Sequence, residues 1–300
     1  DGFPGMGFVR AYEKMRFWLQ SNSKRQAKKN ISYHYDLGND FYGLWLDQTM
    51  TYSSALFETG QNSLETAQIA KYASMVDQMA VQPGDHVLEI GCGWGGFAEY
   101  AALHRGLRLT CLTISQEQFN YAVKRIEKAG LSDRVEIKLQ DYRDEQGTYD
   151  GIASIEMFEA VGEKYWPVYF DAVRNLLKPG KHATLQIISV QDARWDVYRR
   201  GVDFIQKYIF PGGMLPSPKA LRAEVERGGL QVARSIEFGE SYSKTLRMWY
   251  DTFNDKWSEI EAMGFDDRFR RMWNFYLTSC AATFHSGNCD VTQITVTRPA

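Results

Sequence analysis

From residue 83 onward, short apolar runs alternate with stretches in which apolar residues recur every three or four positions. The runs at 86–92, 108–114, 135–140, 149–155 and 182–190 have the character of strands covered on both faces. The stretches 95–104, 116–129 and 165–177 carry helical spacing. Such alternation predicts a parallel sheet with helices on both faces. Residues 178–180 (Lys-Pro-Gly) read as a turn before the fifth strand, and 191–216 interrupts the rhythm. A helix at 218–227 and a strand at 230–238 follow. Two aromatic-rich helical stretches, 243–262 and 266–284, then precede a last strand at 291–297. The expected fold is α/β, a doubly wound, mostly parallel seven-stranded sheet with helical insertions at about 191–216 and 240–286. The last strand is the one open to an antiparallel course.

Residues 1–82 form a different pattern, expected to be a helical cover on the 83–300 core. A helix at 8–26 carries Phe8, Tyr12, Met15, Phe17, Trp18 and Leu19, and Lys24, Arg25, Lys28 and Lys29 make a basic run. This combination suits an anionic membrane surface, or equally a solvated helix end packed on the body. Residues 31–57 are irregular and rich in aromatics, as expected of a segment that closes over a ligand. A helix from 63 to 79 places Ile69, Tyr72, Ala73, Val76 and Met79 on one side, and Pro83-Gly84 stops it.

The first core strand runs into Gly91-Cys-Gly-Trp-Gly-Gly96, followed by a helix. Strand, glycine turn and helix N-terminus together make a nucleoside pocket. The spacing differs from the dinucleotide fingerprint; Glu-x-Gly-x-Gly-x-Gly is the usual first motif of methyltransferases that use S-adenosylmethionine. An ordinary tight turn is the plainer reading.

Composition narrows the partners. The net charge of -2 gives no reason to expect nucleic acid. Cys92, Cys111, Cys280 and Cys289 form no CxxC pair and have no histidine cluster, so no metal is expected. They fit a reducing, cytoplasmic compartment. No apolar run approaches the ~18 residues of a membrane span, and no secretory leader is evident. The chain begins at Asp1 in a glycine-rich stretch, which leaves an upstream domain open.

The strand ends carry the chemistry. After the second strand stand Thr113, Ser115 and Gln118, with Ser115 placed to cap the next helix. After the third stands Asp141-Tyr-Arg143, where Asp141 either accepts from an adenine amino group or caps the local turn. After the fourth comes Glu156-Met-Phe-Glu159. Burial beside an apolar pocket would raise the pKa of Glu159; an ion pair or a cap is its bland role.

Together these segments resemble the cyclopropane fatty acid synthase family of methyltransferases, which includes the mycolic acid cyclopropane synthases. The matching stretches are 34–40, 52–57, 87–96, 112–115, 140–144, 157–162, 207–213 and 238–242, in order, so the resemblance covers about residues 30–298. It implies the Rossmann-like class I fold, S-adenosylmethionine as methyl donor and an unsaturated phospholipid acyl chain as acceptor. Tyr52 and Ser53 would close over the cofactor. Gly91, Cys92, Gly93 and Gly95 would approach its methionine part. Thr113, Ile114 and Gln118 would follow the ribose, and Asp141, Tyr142 and Arg143 would lie near adenine.

The family's cyclopropanation passes through a carbocation, which a dry aromatic pocket protects. A bound bicarbonate removes a proton from the added methyl and the ring closes, so the resemblance implies a cyclopropane fatty acid as the product expected of this chain. The implied holders of bicarbonate are Cys92, Glu159, the backbone at Ile188, and Tyr242. Gln186 stands where the family has a histidine, and an amide cannot carry the proton. That departure leaves bicarbonate open. It also leaves open a direct role for Glu159, with a methyl-branched, methylene-bearing or furan-precursor chain as product. A small-molecule methyltransferase and an inactive S-adenosylmethionine- or lipid-binding module are the other readings. Placement at the inner face of the membrane as a peripheral protein is expected from Arg194, Arg199, Arg200 and the amphipathic start. A homodimer is left open.

Overall fold

The computed structural model describes residues 37–58 and 63–300, together with Lys24, Gln26 and Gly60. The helix expected at 8–26, nearly all of the basic run, and the start of the 34–40 stretch lie outside the described residues.

The sheet has seven strands in the order β3-β2-β1-β4-β5-β7-β6. Its parallel half is β1 (His86–Ile90), β2 (Arg108–Thr113), β3 (Val135–Leu139), β4 (Tyr149–Ile155) and β5 (Leu177–Val190). β7 (Cys289–Thr297) pairs antiparallel with both β5 and β6 (Gln231–Glu237). Strand order reverses at β1/β4, and such a switch point opens a crevice at the carboxyl ends of the strands.

Each crossover helix sits where its cap and apolar face place it. α3 (Gly96–Arg105) starts from Gly95 at φ 83°. α4 (Gln116–Lys128) is capped by Ser115, whose Oγ accepts from Gln118 N at 3.3 Å, as the capping reading of Ser115 expects. α5 (Trp166–Leu176) has Pro167 in its first turn and buries Tyr169, Phe170 and Val173 against the sheet. β5 begins at Leu177 instead of after the Lys-Pro-Gly turn, because Leu177 still pairs with Tyr149 and Gly180 N bonds to Arg298 O at 2.8 Å. The 191–216 interruption contains α6 (Asp192–Tyr198) and α7 (Phe204–Tyr208), and α8 (Pro218–Arg227) follows.

The cover differs from expectation in two places. The stretch read as irregular holds a short helix, α1 (Asn39–Trp45), because Phe41, Tyr42 and Trp45 share one face and are buried together. They pack on α9 (Gly239–Asp255), α10 (Trp257–Ala262) and α11 (Asp267–His285) through rings such as Trp249, Phe253 and Trp273. The second difference is α2 (Leu64–Met79), which is not apolar on one side only. Gln68, Lys71 and Gln78 are buried too, and Gln78 Nε2 reaches Gln293 Oε1 in β7 at 2.7 Å. A polar helix side placed on a sheet must be hydrogen-bonded to be tolerated.

Candidate active site

The carboxyl ends of β1, β2, β4 and β5 open into a cavity of about 860 Å³. Gly91 and Gly93, at φ 84° and 52°, turn the chain out of β1 toward it. The loop is pinned by Gly91 N and Cys92 N, which both donate to Leu112 O, at 3.0 and 2.9 Å. A Cβ on Gly91 would lie 2.7 Å from Met157 Cγ, so only glycine fits. Gly93 and Cys92 border the cavity, whereas Gly95 does not and instead faces Ala122.

At one end the wall is Thr113, Ile114, Gln118, Asp141, Tyr142 and Arg143. Thr113 Oγ1 donates to Gln118 Oε1 at 3.0 Å, so the Gln118 amide nitrogen keeps its hydrogens for another acceptor. Asp141 caps its own turn, accepting from Arg143 N at 3.0 Å, and its Oδ2 accepts from Arg143 Nη2 at 2.6 Å. Burial alone would raise the Asp141 pKa, but the bonds and charge of Arg143 outweigh it and hold the carboxyl below its ordinary value.

At the other end the wall is aromatic. Tyr52 Oη and Tyr276 Oη lie 2.8 Å apart, and Tyr242 stands edge-on to Trp249 at 6.0 Å. Phe210 and Phe284 complete this end. Between the two ends stand three carboxyl groups, those of Glu89, Glu156 and Glu159. Burial raises all three, Glu89 to about 7 and Glu159 to about 8, with the neighbouring Glu156 adding to the Glu159 shift. Glu159 Oε1 accepts from Ile188 N at 2.5 Å, and its buried Oε2 has no partner among the described residues. Burial likewise pushes the Cys92 thiol and the Tyr242 hydroxyl well above their ordinary values.

Gln186 is the one proposed catalytic residue that does not border the cavity. Its amide donates to Glu156 Oε1 at 2.9 Å and to Ser54 O at 3.2 Å, and its Oε1 accepts from Gln293 at 3.0 Å. Four residues near the site had no role assigned to them from sequence, although Glu89, Trp94 and Glu156 stand within the stretches that define it. Glu89 and Glu156 carried a signal, as carboxylates at strand ends. Trp94, whose Nε1 donates to Asn39 Oδ1 at 2.6 Å, and Lys71 carried none.

Known proteins resemble this chain in sequence and fold. The chain matches the mycolic acid cyclopropane synthetase family over residues 22–294. The chain belongs to that family. It is 42% identical over 285 residues to the tuberculostearic acid methyltransferase UfaA1 of Mycobacterium tuberculosis, covering 92% of this chain and 66% of that one. It is 39% identical over 276 residues to the cyclopropane-fatty-acyl-phospholipid synthase of Escherichia coli K12, covering 92% of this chain and 69% of that one. The chain thus spans about two thirds of the length of these curated relatives. Its fold superimposes on the mycolic acid cyclopropane synthase CmaA1 complexed with SAH and CTAB, with a TM-score of 0.84 at 30% identity, covering 90% of this chain and 98% of that one. By family and fold the chain is a SAM-dependent C-methyltransferase of the Rossmann-like class.

The residues of this family member suit S-adenosylmethionine. The glycine cradle admits close backbone approach, and Glu89 Oε2, buried at the cavity wall with no hydrogen-bond partner among the described residues, is open to accept from a ligand ammonium. Bicarbonate does not fit the arrangement. The Ile188 N–H is taken by Glu159, Gln186 is turned away, and three carboxyls already crowd the wall. Asp141→Ala would remove the carboxylate that accepts from Arg143 Nη2. Losing such a charge-assisted bond is expected to weaken S-adenosylhomocysteine binding about tenfold by calorimetry.

Proposed function

We propose that the chain transfers a methyl group from S-adenosylmethionine to the double bond of an unsaturated fatty acyl chain carried by a membrane phospholipid. Glu159 then takes the proton that the methylated chain loses, and a methyl-branched or methylene-bearing chain results. The cofactor supplies an electrophilic methyl on a positively charged sulfur. The protein's own residues do the rest. The ring wall of Tyr52, Tyr242 and Tyr276 excludes water and presents negative faces to a developing cation. Glu159 Oε2, with no partner among the described residues, is the acceptor for the proton.

The observation that carries this reading is the seat of Gln186 behind the cavity wall, bonded to Glu156, Ser54 and Gln293. It withdraws one member of the ring-closing constellation, and the 42% identity to a fatty acyl methyltransferase agrees. Cyclopropanation is the second reading. It is favoured by Cys92, Glu159 and Tyr242 bordering one cavity and by the 39% identity to a cyclopropane synthase. Mass spectrometry of lipids from expressing cells separates them. The expected product gains one CH2 and still takes up hydrogen; a product with the same gain that resists hydrogenation is a ring and overturns the first reading.

Placement on the inner face of the membrane is part of the proposal. Among the described residues no helix is long and apolar enough to cross a membrane. Val197 borders the cavity yet is 80% exposed, and Arg194, Arg199 and Arg200 stand exposed around it. An apolar mouth edged with arginines suits an anionic bilayer surface. Failure to sediment with anionic liposomes would count against it.

A further inference from the structure

Ser53 borders the cavity from the strap that joins α1 to α2, and Ser53, Ser54 and Ala55 are held from behind by buried polar groups. Lys71 Nζ donates to Ser53 Oγ at 2.7 Å, and Gln68 Nε2 donates to Ser53 O at 3.0 Å. Ser54 N donates to Glu156 Oε1 at 2.8 Å, while Gln186 donates to Ser54 O. One residue further on, Ala55 N donates to Thr245 Oγ1 at 3.1 Å. Glu156 holds its position at φ 49°, a left-handed conformation that is unfavourable for every residue but glycine and that points to a constraint. Lys71 itself is fully buried.

We propose that Lys71 is a positioning residue for methyl transfer. From behind the wall it fixes Ser53 in the strap and sets its charge against the carboxyls of Glu156 and Glu89, so that the seat of the cofactor is shaped before the cofactor arrives. A buried ammonium is costly unless it is paired and hydrogen-bonded. A methionine or leucine would fill the same space without that cost, so volume alone does not account for a lysine here. The groups that face it are Glu156 just past the end of β4, Glu89 from β1 and Asp47 from the segment after α1. Burial lowers its pKa to about 7 in spite of these carboxylates. Its charge is set among Glu156, Glu89 and Asp47 and offsets their mutual repulsion. Removing it frees the Ser53 hydroxyl, leaving Ser53 held only through its carbonyl by Gln68, and takes the positive charge away from Glu156 and Glu89.

The inference depends on cofactor binding and not on the fate of the acyl chain, so a calorimetric readout with S-adenosylhomocysteine keeps it apart from the product question. Lys71→Met is expected to raise the dissociation constant for S-adenosylhomocysteine and the KM for S-adenosylmethionine by about ten- to fiftyfold, with the KM for lipid within about twofold. Ser53→Ala should move the same two constants in the same direction by about three- to tenfold. The double variant should be no worse than Lys71→Met alone, since both break one link. A folded Lys71→Met with unchanged cofactor affinity overturns the proposal. So does a rise in both KM values together, or additivity of the two changes. If Lys71→Met does not fold, Ser53→Ala decides: unchanged cofactor affinity in that variant overturns the proposal as well.

Discussion

Glu159→Gln is expected to lower turnover by about a thousandfold, in the middle of the range for loss of a general base, while the S-adenosylhomocysteine dissociation constant stays within about threefold. The amide keeps the shape of the side chain and can still accept from Ile188 N. It has no carboxylate to receive a proton. Retained turnover would rule out the role given to Glu159. The pH dependence has a definite sign. Burial and the neighbouring Glu156 raise the folded-state pKa from 4.5 to about 8, so the basic form appears only as pH rises toward that value. The kcat/KM for lipid should therefore climb with pH through the neutral range in the wild type, and the residual rate of the variant should lack that limb.

The same shift makes a stability prediction. The unfolded chain loses the Glu159 proton near 4.5 and the folded chain only near 8, so folding holds the proton more tightly. The contribution of Glu159 to stability is least unfavourable below 4.5 and worsens as pH rises from there to about 8. Glu159→Gln should accordingly raise the thermal midpoint at pH 8 and change it little at pH 4.5. A variant less stable than wild type at pH 8 would show that Glu159 is not held against its preference.

Gly91→Ala is the substitution with the largest expected structural effect. The new Cβ would sit at φ 84° and meet Met157 at 2.7 Å from Cγ and 3.0 Å from Cβ. Strain and overpacking together should cost about 3 kcal/mol, seen as a lower thermal midpoint, and cofactor binding should be lost with it. Gly93→Ala is the comparison. Its φ of 52° is also left-handed, but no heavy atom lies within 4 Å of a Cβ there. It should cost only the backbone strain, about 1–2 kcal/mol. Equal losses in the two variants would mean that Met157 is not what makes Gly91 necessary.

Much of this molecule could be read along the chain. The apolar runs at 86–92 and 108–114 can only be buried strands, because each is too short for a helix and carries too little polar surface for an exposed face. The glycines of the first loop, Asp141 and Glu159 then fall at strand ends, where a doubly wound sheet binds its ligand. Ser115 was legible as a cap from its position alone. The short α1 was not, since seven residues are too few for a helical period to stand out from a ring-rich loop. Lys71 and Gln68 carry no sequence signal of burial. A polar side packed on a sheet has the same spacing as one in water.

Gln186 shows the same division. Its place after Leu185 gave its strand but not the partner that would occupy its side chain. The side chain of a strand residue takes one face or the other, and which neighbour it meets there depends on the register of adjoining strands. Here Ile155 pairs with Gln186 and Gln186 with Gln293, which seats the amide among Glu156, Ser54 and Gln293 instead of at the reaction space. The order of the elements, the glycine turn and the identity of the chemical groups belong to the chain itself, because periodicity and residue type are local. Which carboxyl oxygens are left without a partner among the described residues, and which residue stands behind the wall, were decided by tertiary structure, because strand register and helix docking join residues distant along the chain.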